Sequence, residues 1–318
     1  MINSVRNTVL AILNKNNYGY VSPSDFNLLA NNAQIEIFEG LFSDYNSSIN
    51  AETLRLSGTE YADKRKAIEE EIESFLVSKA LIHKSGNYFY TPSIITTGDA
   101  VYMINKITVY PLLLVQGLVS SVVVDELNDT SSDFVQSGVS VGDIVFNADS
   151  YSSAIVVGVV SGTQLTLSSN IFTALDQKYY IYNSKTFSVA EKVSNVNITM
   201  LNASNLTAPS VLYPSYSMIG QTIGCYPETI NTYGAVVADY FRYPKTPKWT
   251  YSTLSSGDPV FNQSQPDYQD FELSSGLEVE LVVKILSYLG ITIREIQVAQ
   301  FAIAKEQSLE ENYGTKNI

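Results

Sequence analysis

At 318 residues the chain is long enough for one large domain or two or three small modules, with a real hydrophobic core in either case. Only 16% of the residues are charged against 45% hydrophobic, so the polar surface has to be built from Ser, Thr, Asn, Gln and Tyr; 22 tyrosines against one tryptophan suit surfaces that touch other proteins. The net charge of −13 argues against a nucleic-acid binder, whose affinity comes largely from Lys and Arg on phosphates, and the single cysteine, Cys225, excludes an intramolecular disulfide and a Cys-based zinc site. The opening Met1-Ile2-Asn3-Ser4-Val5-Arg6 lacks the pattern of a secretory signal, and no apolar run approaches membrane-spanning length. The expectation is a soluble protein made in a cytoplasm, with no membrane partner.

Residues 3–15 predict a first short helix, with Val5, Val9, Leu10, Ile12 and Leu13 apolar, and Asn16-Asn17-Tyr18-Gly19-Tyr20 then turns the chain. The stretch 19–42 carries the strongest local signal. Ser22 is a good N-cap, Pro23 fits the first helical position, and Asp25 can reach back to the cap. Behind it Phe26, Ala30, Ala33, Ile37 and Leu41 recur at helical spacing, while Asn27, Asn31, Gln34 and Glu36 fall on other faces. That polar side is mostly amide, which can hydrogen-bond a protein neighbour without the cost of burying a charge. A polar segment at 43–58 leads to a third predicted helix at 60–82. Its Lys64-Arg65-Lys66 and Glu69-Glu70-Glu71 runs offer i,i+4 pairs and read as a solvated face rather than a phosphate site.

From Asn87 the period changes to strands. Tyr88-Phe89-Tyr90, 104–115 and 118–124 are β-branched and aromatic. Residues 132–184 hold several short strands, including 141–146, 154–160, 164–168 and 179–182, and predict a small barrel or sandwich with its own core, inserted into a β region that resumes after it. Strands are expected at 196–200, 217–226 and 234–241, ending at Pro244 and Pro247 before Trp249. A Gly/Ser/Pro-rich loop follows. Ser275-Gly276-Leu277-Glu278 then predicts a capping box for a helix with Leu277, Leu281, Val282, Ile285, Leu286 and Leu289 on one stripe and Gly290 as its stop. Thr292-Ile293-Arg294-Glu295 opens a last helix to about 310, apolar on more than one face. Such a helix fits either a sandwiched position in the fold or packing on a neighbouring subunit.

Candidate chemistry is sparse. His83, the one histidine, sits at the end of the third predicted helix, where a cation is favoured by the helix dipole, and Cys225 reads as a small buried strand residue. Gly138, Gly142 and Gly158 are strand and turn glycines rather than a phosphate loop. Asp143, Asp239, Asp258, Asp267 and Asp270 could in principle supply a glycosidase pair, but nothing fixes their distances. Asp129, Asp133 and Asp149 lack the spacing of a calcium loop. No catalytic, cofactor or metal site is expected, and the protein reads as a non-enzyme.

Three stretches resemble virion proteins of short-tailed bacteriophages, the crAss-like phages of gut Bacteroidetes above all. They are Leu13-Asn14-Lys15 … Gly19-Tyr20-Val21-Ser22-Pro23 … Phe26-Asn27 … Ala33-Gln34 … Ile37-Phe38, then Asp239-Tyr240-Phe241-Arg242-Tyr243-Pro244-Lys245-Thr246-Pro247-Lys248-Trp249, and Asp270-Phe271-Glu272-Leu273 with Glu280 to Ile291. The 132–184 insertion looks similar, more loosely, to small β modules of phage tail proteins. The resemblance implies a head–tail connector or tail-ring protein, typically twelvefold, that binds itself, the portal and adjacent ring proteins, carries no cofactor, and lets genomic DNA pass without specific binding; its place is the virion, after synthesis in the host cytoplasm. Ring neighbours that meet head to tail need two different adhesive surfaces. Asn27, Asn31 and Gln34 on the second helix, and Phe301, Glu306, Leu309 and Tyr313 near the C-terminus, are the interface candidates. The expected fold class is α+β: a helical unit from 1–86 and 251–318, an antiparallel β domain from 87–131 and 185–250, and an inserted barrel at 132–184. The alternative is a receptor- or glycan-binding tail module with Tyr179, Tyr180 and Tyr182 as stacking platforms, and a further rival is a tail-borne glycan hydrolase using two carboxylates.

Overall fold

The computed structural model describes residues 1–15, 21–53, 60–255 and 257–293. Helices α1 (Ile2–Lys15), α2 (Pro23–Thr53) and α3 (Glu60–Glu73) lead. Strands β1 (Leu76–Ala80), β2 (His83–Ser85), β3 (Tyr88–Tyr90) and β4 (Val101–Val109) follow. Next come β5 (Leu113–Leu118), β6 (Glu126–Asn128), β7 (Ile144–Asn147), β8 (Ser152–Ser161), β9 (Gln164–Leu167) and β10 (Lys178–Tyr182). After β11 (Ser188–Lys192) the chain forms α4 (Asn195–Asn202), then β12 (Ser215–Ile219), β13 (Thr222–Tyr226) and β14 (Val236–Arg242). A hairpin of β15 (Tyr251–Thr253) and β16 (Pro259–Phe261) precedes α5 (Glu278–Ile293). The fold is α+β, and it divides into two units, Met1–Phe75 with the chain from Tyr243, and Leu76–Arg242.

In the helical unit α2 starts as its sequence requires. The Asp25 N–H donates to Ser22 Oγ at 3.1 Å, and the Ser22 hydroxyl donates to Asp25 Oδ2 at 2.6 Å. Phe26, Ala30, Ala33, Ile37, Phe38 and Leu41 are buried, as are Val5, Val9 and Leu13 of α1 and Leu281, Ile285, Leu286 and Leu289 of α5. Helix α5 packs against both α1 and α2, and Lys284 and Tyr288 reach from it to Glu36.

Several boundaries differ from expectation. Helix α2 runs on to Thr53 instead of giving way to a polar segment at 43; Phe42, Tyr45 and Ile49 stay half-buried along it, and the Arg65 guanidinium lies 5.9 Å over the Tyr45 ring. Tertiary support thus continues where the apolar stripe thins. Helix α3 stops at Glu73, where the Ser74 hydroxyl turns back to the Glu71 carbonyl at 2.6 Å. The next residues, 76–80, pair antiparallel with β14, because a short apolar run satisfies helical and strand periods alike and the waiting strand decides. The helical unit therefore ends at 75 and resumes at 243, not at 86 and 251. The box at Ser275–Leu277 is not formed: Ser274 occupies the cap, and its hydroxyl donates to Glu71 Oε1 at 2.6 Å. Gly290 does not stop α5, which continues through it, and Thr292 lies inside that helix. The rest of the last predicted helix lies outside the described residues.

The second unit holds two sheets. Eight strands run in the order β1-β14-β4-β11-β12-β13-β3-β2, antiparallel except for β11 beside β12. Six run β5-β10-β7-β8-β9-β6. Beyond β5 the Ser120 N–H donates to the Asn128 carbonyl at 2.8 Å, and Ser121 bridges Asn128, so the first and last of the six meet and the sheet closes into a small barrel. It is an insertion, since β4 before it and β11 after it lie side by side. At its mouth the Asn183 N–H donates to the Leu112 carbonyl at 3.0 Å. Its strands span 113–182 rather than 132–184: Pro111 has no N–H to continue β4, which splits the expected run 104–115 and hands its second half to the barrel. The expected strand 196–200 is helix α4, because Ser194 caps it by accepting from the Asn197 N–H and its asparagines disfavour a ladder. The expected strand 217–226 is the β12–β13 hairpin, turning at Gly220.

Each sheet has its own core. Phe89, Ile107, Val109, Ile223, Val236 and Tyr240 lie in the first; Val119, Leu127, Phe134, Val145, Leu165 and Ile181 lie in the second. A seam of Ala80, Phe146 and Ala148, flanked by Tyr180, Tyr233 and Val237, joins them. Gly234 sits there at φ +77°, and a Cβ on it would fall 2.5 Å from the Phe146 ring.

Candidate functional site

The amide face of α2 is the best-built polar constellation outside the barrel. The chain at 243–249 contains Pro244 and Pro247, which lack N–H groups and break any ladder, so its backbone needs partners from side chains. Asn27 and Gln34 supply them. The Trp249 N–H donates to Asn27 Oδ1 at 2.8 Å, and Asn27 Nδ2 donates back to the Trp249 carbonyl at 3.2 Å. Gln34 Nε2 donates to the Lys245 carbonyl at 2.8 Å, and its Oε1 accepts from the Glu272 N–H at 3.1 Å. Gln34 is wholly buried and Asn31 half-buried. Asn27 and Gln34 are thus internal clamps: the amides meet a protein neighbour, as their chemistry suggests, and in this chain that neighbour is their own backbone, with Gln34 too deeply buried to reach a second subunit. Phe301, Glu306, Leu309 and Tyr313 lie outside the described residues.

Around this clamp the remote parts of the unit converge. The Arg6 guanidinium lies 3.8 Å over the Trp249 ring, whose Nε1 donates to Asn3 Oδ1 at 3.0 Å. Tyr251 and Phe261 stack on the same ring at 5.7 and 5.9 Å. Asp270 Oδ1 accepts from the N–H groups of Ile2 and Phe271, and its Oδ2 lies 3.0 Å from the Met1 amino group. Sequence reading missed Trp249 and Asp270 as organisers. The signal was there, in a proline-broken segment opposite a helix face rich in amides. Gln34→Ala strands the Lys245 carbonyl and the Glu272 N–H together, and should cost about 1–3 kcal/mol, read as a lower urea midpoint at unchanged slope.

Most of the other candidate groups have partners within the fold. His83 lies on β2 rather than capping a helix; its Nε2 carries the hydrogen, since it faces the Gly86 carbonyl at 2.8 Å, and its ring packs on Phe89 and Tyr233. Cys225 is fully buried on β13, and burial pushes its thiol up to about 12, so it stays protonated. Asp143 is buried and accepts from the backbone and hydroxyl of Ser140 and from the Ser184 N–H. Asp239 pairs with Lys106, Asp267 with Lys248, and Asp149 accepts from the Lys178 N–H. Tyr179 and Tyr182 are buried, with their hydroxyls given to Asp129 and to Thr232, while Tyr180 stacks on Tyr233 at 5.7 Å. They form no stacking platform for a sugar. Gly117 must lack a Cβ, which would fall 2.5 Å from Asp129 Oδ2.

Three carboxylates tie stability to pH. Burial pushes Asp99 up, but hydrogen bonds from Lys79 at 2.8 Å and Tyr240 at 2.7 Å outweigh it and hold the carboxyl below its ordinary 3.8. Burial is likewise outweighed at Asp129 by Ser132, Tyr179 and the Ser131 N–H, and at Asp270 by the terminal amine and two backbone N–H groups. A depressed folded-state value adds stability that is complete above the unfolded value and lost as pH falls through the folded one. The melting temperature should therefore fall steadily below about pH 4, and Asp99→Asn should flatten that decline while lowering stability at pH 7. Parallel acid profiles for the variant and the parent would contradict this assignment.

A groove in the helical unit is lined by Leu41, Ala67, Glu70, Glu71, Phe75 and Leu273, but Glu71 is engaged by Ser274. Among the described residues no group of three or more His, Cys, Asp or Glu could hold a metal ion, and no helix is long and apolar enough to cross a membrane. No protein-family model matches the chain, and no curated protein matches it either.

Proposed function

We propose that the protein is a structural virion subunit of a short-tailed, crAss-like bacteriophage, and that it assembles into a homo-oligomeric ring, dodecameric, in the head–tail connector or tail. The ring joins portal to tail around the DNA channel, and the chain performs no catalysis and needs no cofactor. The observation that carries this reading is the convergence on the amide clamp. Two of the stretches that resemble phage ring proteins are hydrogen-bonded across 222 residues by Asn27 and Trp249, and the third joins them through Gln34 and Glu272. A resemblance scattered along the chain thus meets, from Tyr243 onward, in the helical unit. The acidic balance fits a conduit, since a net charge of −13 repels a DNA backbone rather than retaining it.

The test is negative-stain imaging of the purified protein, alone and mixed with the portal protein of the same phage. Rings in either sample, or added density capping the portal, support the proposal. Single particles that ignore the portal overturn it.

A further inference from the structure

The connection between β11 and β12 is unlike the rest of the surface. These two strands are the parallel pair of the large sheet, so the chain must leave the sheet and return, which it does through α4 and a loop at 203–214. Between 194 and 213 Ile198 is the one fully buried residue. The apolar side chains around it point outward: Val196 and Met200, one helical turn apart, are 67% and 69% exposed, and Leu206, Leu212 and Tyr213 are 94%, 71% and 80% exposed. The segment is nevertheless shaped. Thr207 and Ala208 both donate backbone N–H groups to the Ser204 carbonyl, the Thr207 hydroxyl caps Leu201, and Ser210 and Tyr213 exchange backbone hydrogen bonds. Its form is fixed by its own backbone, so binding needs little further ordering.

Charge says what it meets. From 193 to 227 there is no Asp, Glu, Lys, Arg or His, in a chain of net charge −13. A basic partner would be met best by the acidic surface the chain has in plenty. A second acidic copy can approach closely only through a surface from which charge has been removed, and self-association surfaces are the more apolar kind. The same unit offers a second such surface. Strand β8 turns Ile155, Val157 and Val160 outward, 51%, 55% and 60% exposed, within a run from 150 to 175 that also lacks charge. Two different apolar patches on one subunit, each built on a stretch without charged residues, supply the two unlike surfaces that head-to-tail closure requires.

We propose that the 194–213 arm seats on the outer face of β8 of the next copy, with Leu206, Leu212 and Tyr213 as the buried contacts. The proposal rests on the ring-forming reading. It is tested on the full chain by sedimentation velocity, comparing the parent with Leu206→Asp/Tyr213→Asp. Because the replaced side chains touch solvent, the variant should keep the parent's melting temperature while its self-association weakens by about a hundredfold or more. A bis-maleimide then cross-links an equimolar mixture of Tyr213→Cys and Val157→Cys chains, the native Cys225 being buried and silent. The expected product is a covalent dimer formed from the mixture and from neither variant alone. Undiminished rings from the double variant would overturn the arm while leaving the ring reading intact. Cross-linking of Tyr213→Cys to itself would replace the head-to-tail contact with a two-fold one and overturn the proposal. A parent that stays single at every concentration and beside the portal would overturn both readings.

Discussion

Trp249→Ala should lower the stability of the helical unit by about 3–5 kcal/mol. Trp249 is 1% exposed, and its ring is packed against the Arg6 guanidinium and the rings of Tyr251 and Phe261. Truncation removes the stacking surface, leaves Arg6 facing a void, and deletes the hydrogen bond to Asn3. Calorimetry should show the transition of the helical unit moving down by about 10 °C, with the transition of the 76–242 unit unmoved. Trp249→Phe keeps most of the ring and should recover most of the loss. A common shift of both transitions would mean that this side chain supports more than its own unit.

Ile285→Asp should be as severe. Ile285 is fully buried on α5, the helix that packs on both α1 and α2, so a carboxylate there is taken out of water. It must either take up a proton or expel the helix, at a cost of roughly 4 kcal/mol or more. The sign of the pH effect separates the two routes: if the side chain protonates in place, the variant regains stability on mild acidification, where the parent is still flat. Circular dichroism across pH 7 to 5 reads this directly. Leu281→Asp, equally buried on the same stripe, should behave alike. Retention of parental stability by either variant would contradict the packing described for α5.

The parts legible in the sequence are those where local chemistry and tertiary context agree. Ser22, Pro23 and Asp25 declare the start of α2 and are found in those roles, and the apolar spacings of α1, α2 and α5 name most of the buried residues, with Leu10, Ile12 and Leu277 only partly covered. Where a run satisfies two periods at once, the partner decides, and the partner is not written locally. Residues 76–80 become strand because β14 is beside them, and 196–200 become helix because Ser194 caps them. The amides of α2 show a different limit. Their chemistry announced a protein contact, but Asn27 and Gln34 cannot announce whose backbone they will serve. The two prolines that leave that backbone in need lie more than two hundred residues away, at 244 and 247. The arm at 194–213 was missed for the same reason: Val196 to Met200 read as an ordinary strand, and only the structure shows how far Val196 and Met200 are exposed.

The single hydrogen bond from Asn183 to Leu112 at the mouth of the barrel has a consequence for how such a chain can change over time. Entry and exit of some seventy residues lie side by side, and the insert closes on itself rather than borrowing an edge from its host. A gene could therefore exchange this module at one point without disturbing the register of the parent sheet, provided that the replacement again covered Ala80, Tyr233 and Val237 and filled the place of Tyr182 in the core of that sheet. The barrel is thus the portion of the protein that can be exchanged as a unit, with the outer face of β8 as the part a replacement would have to keep.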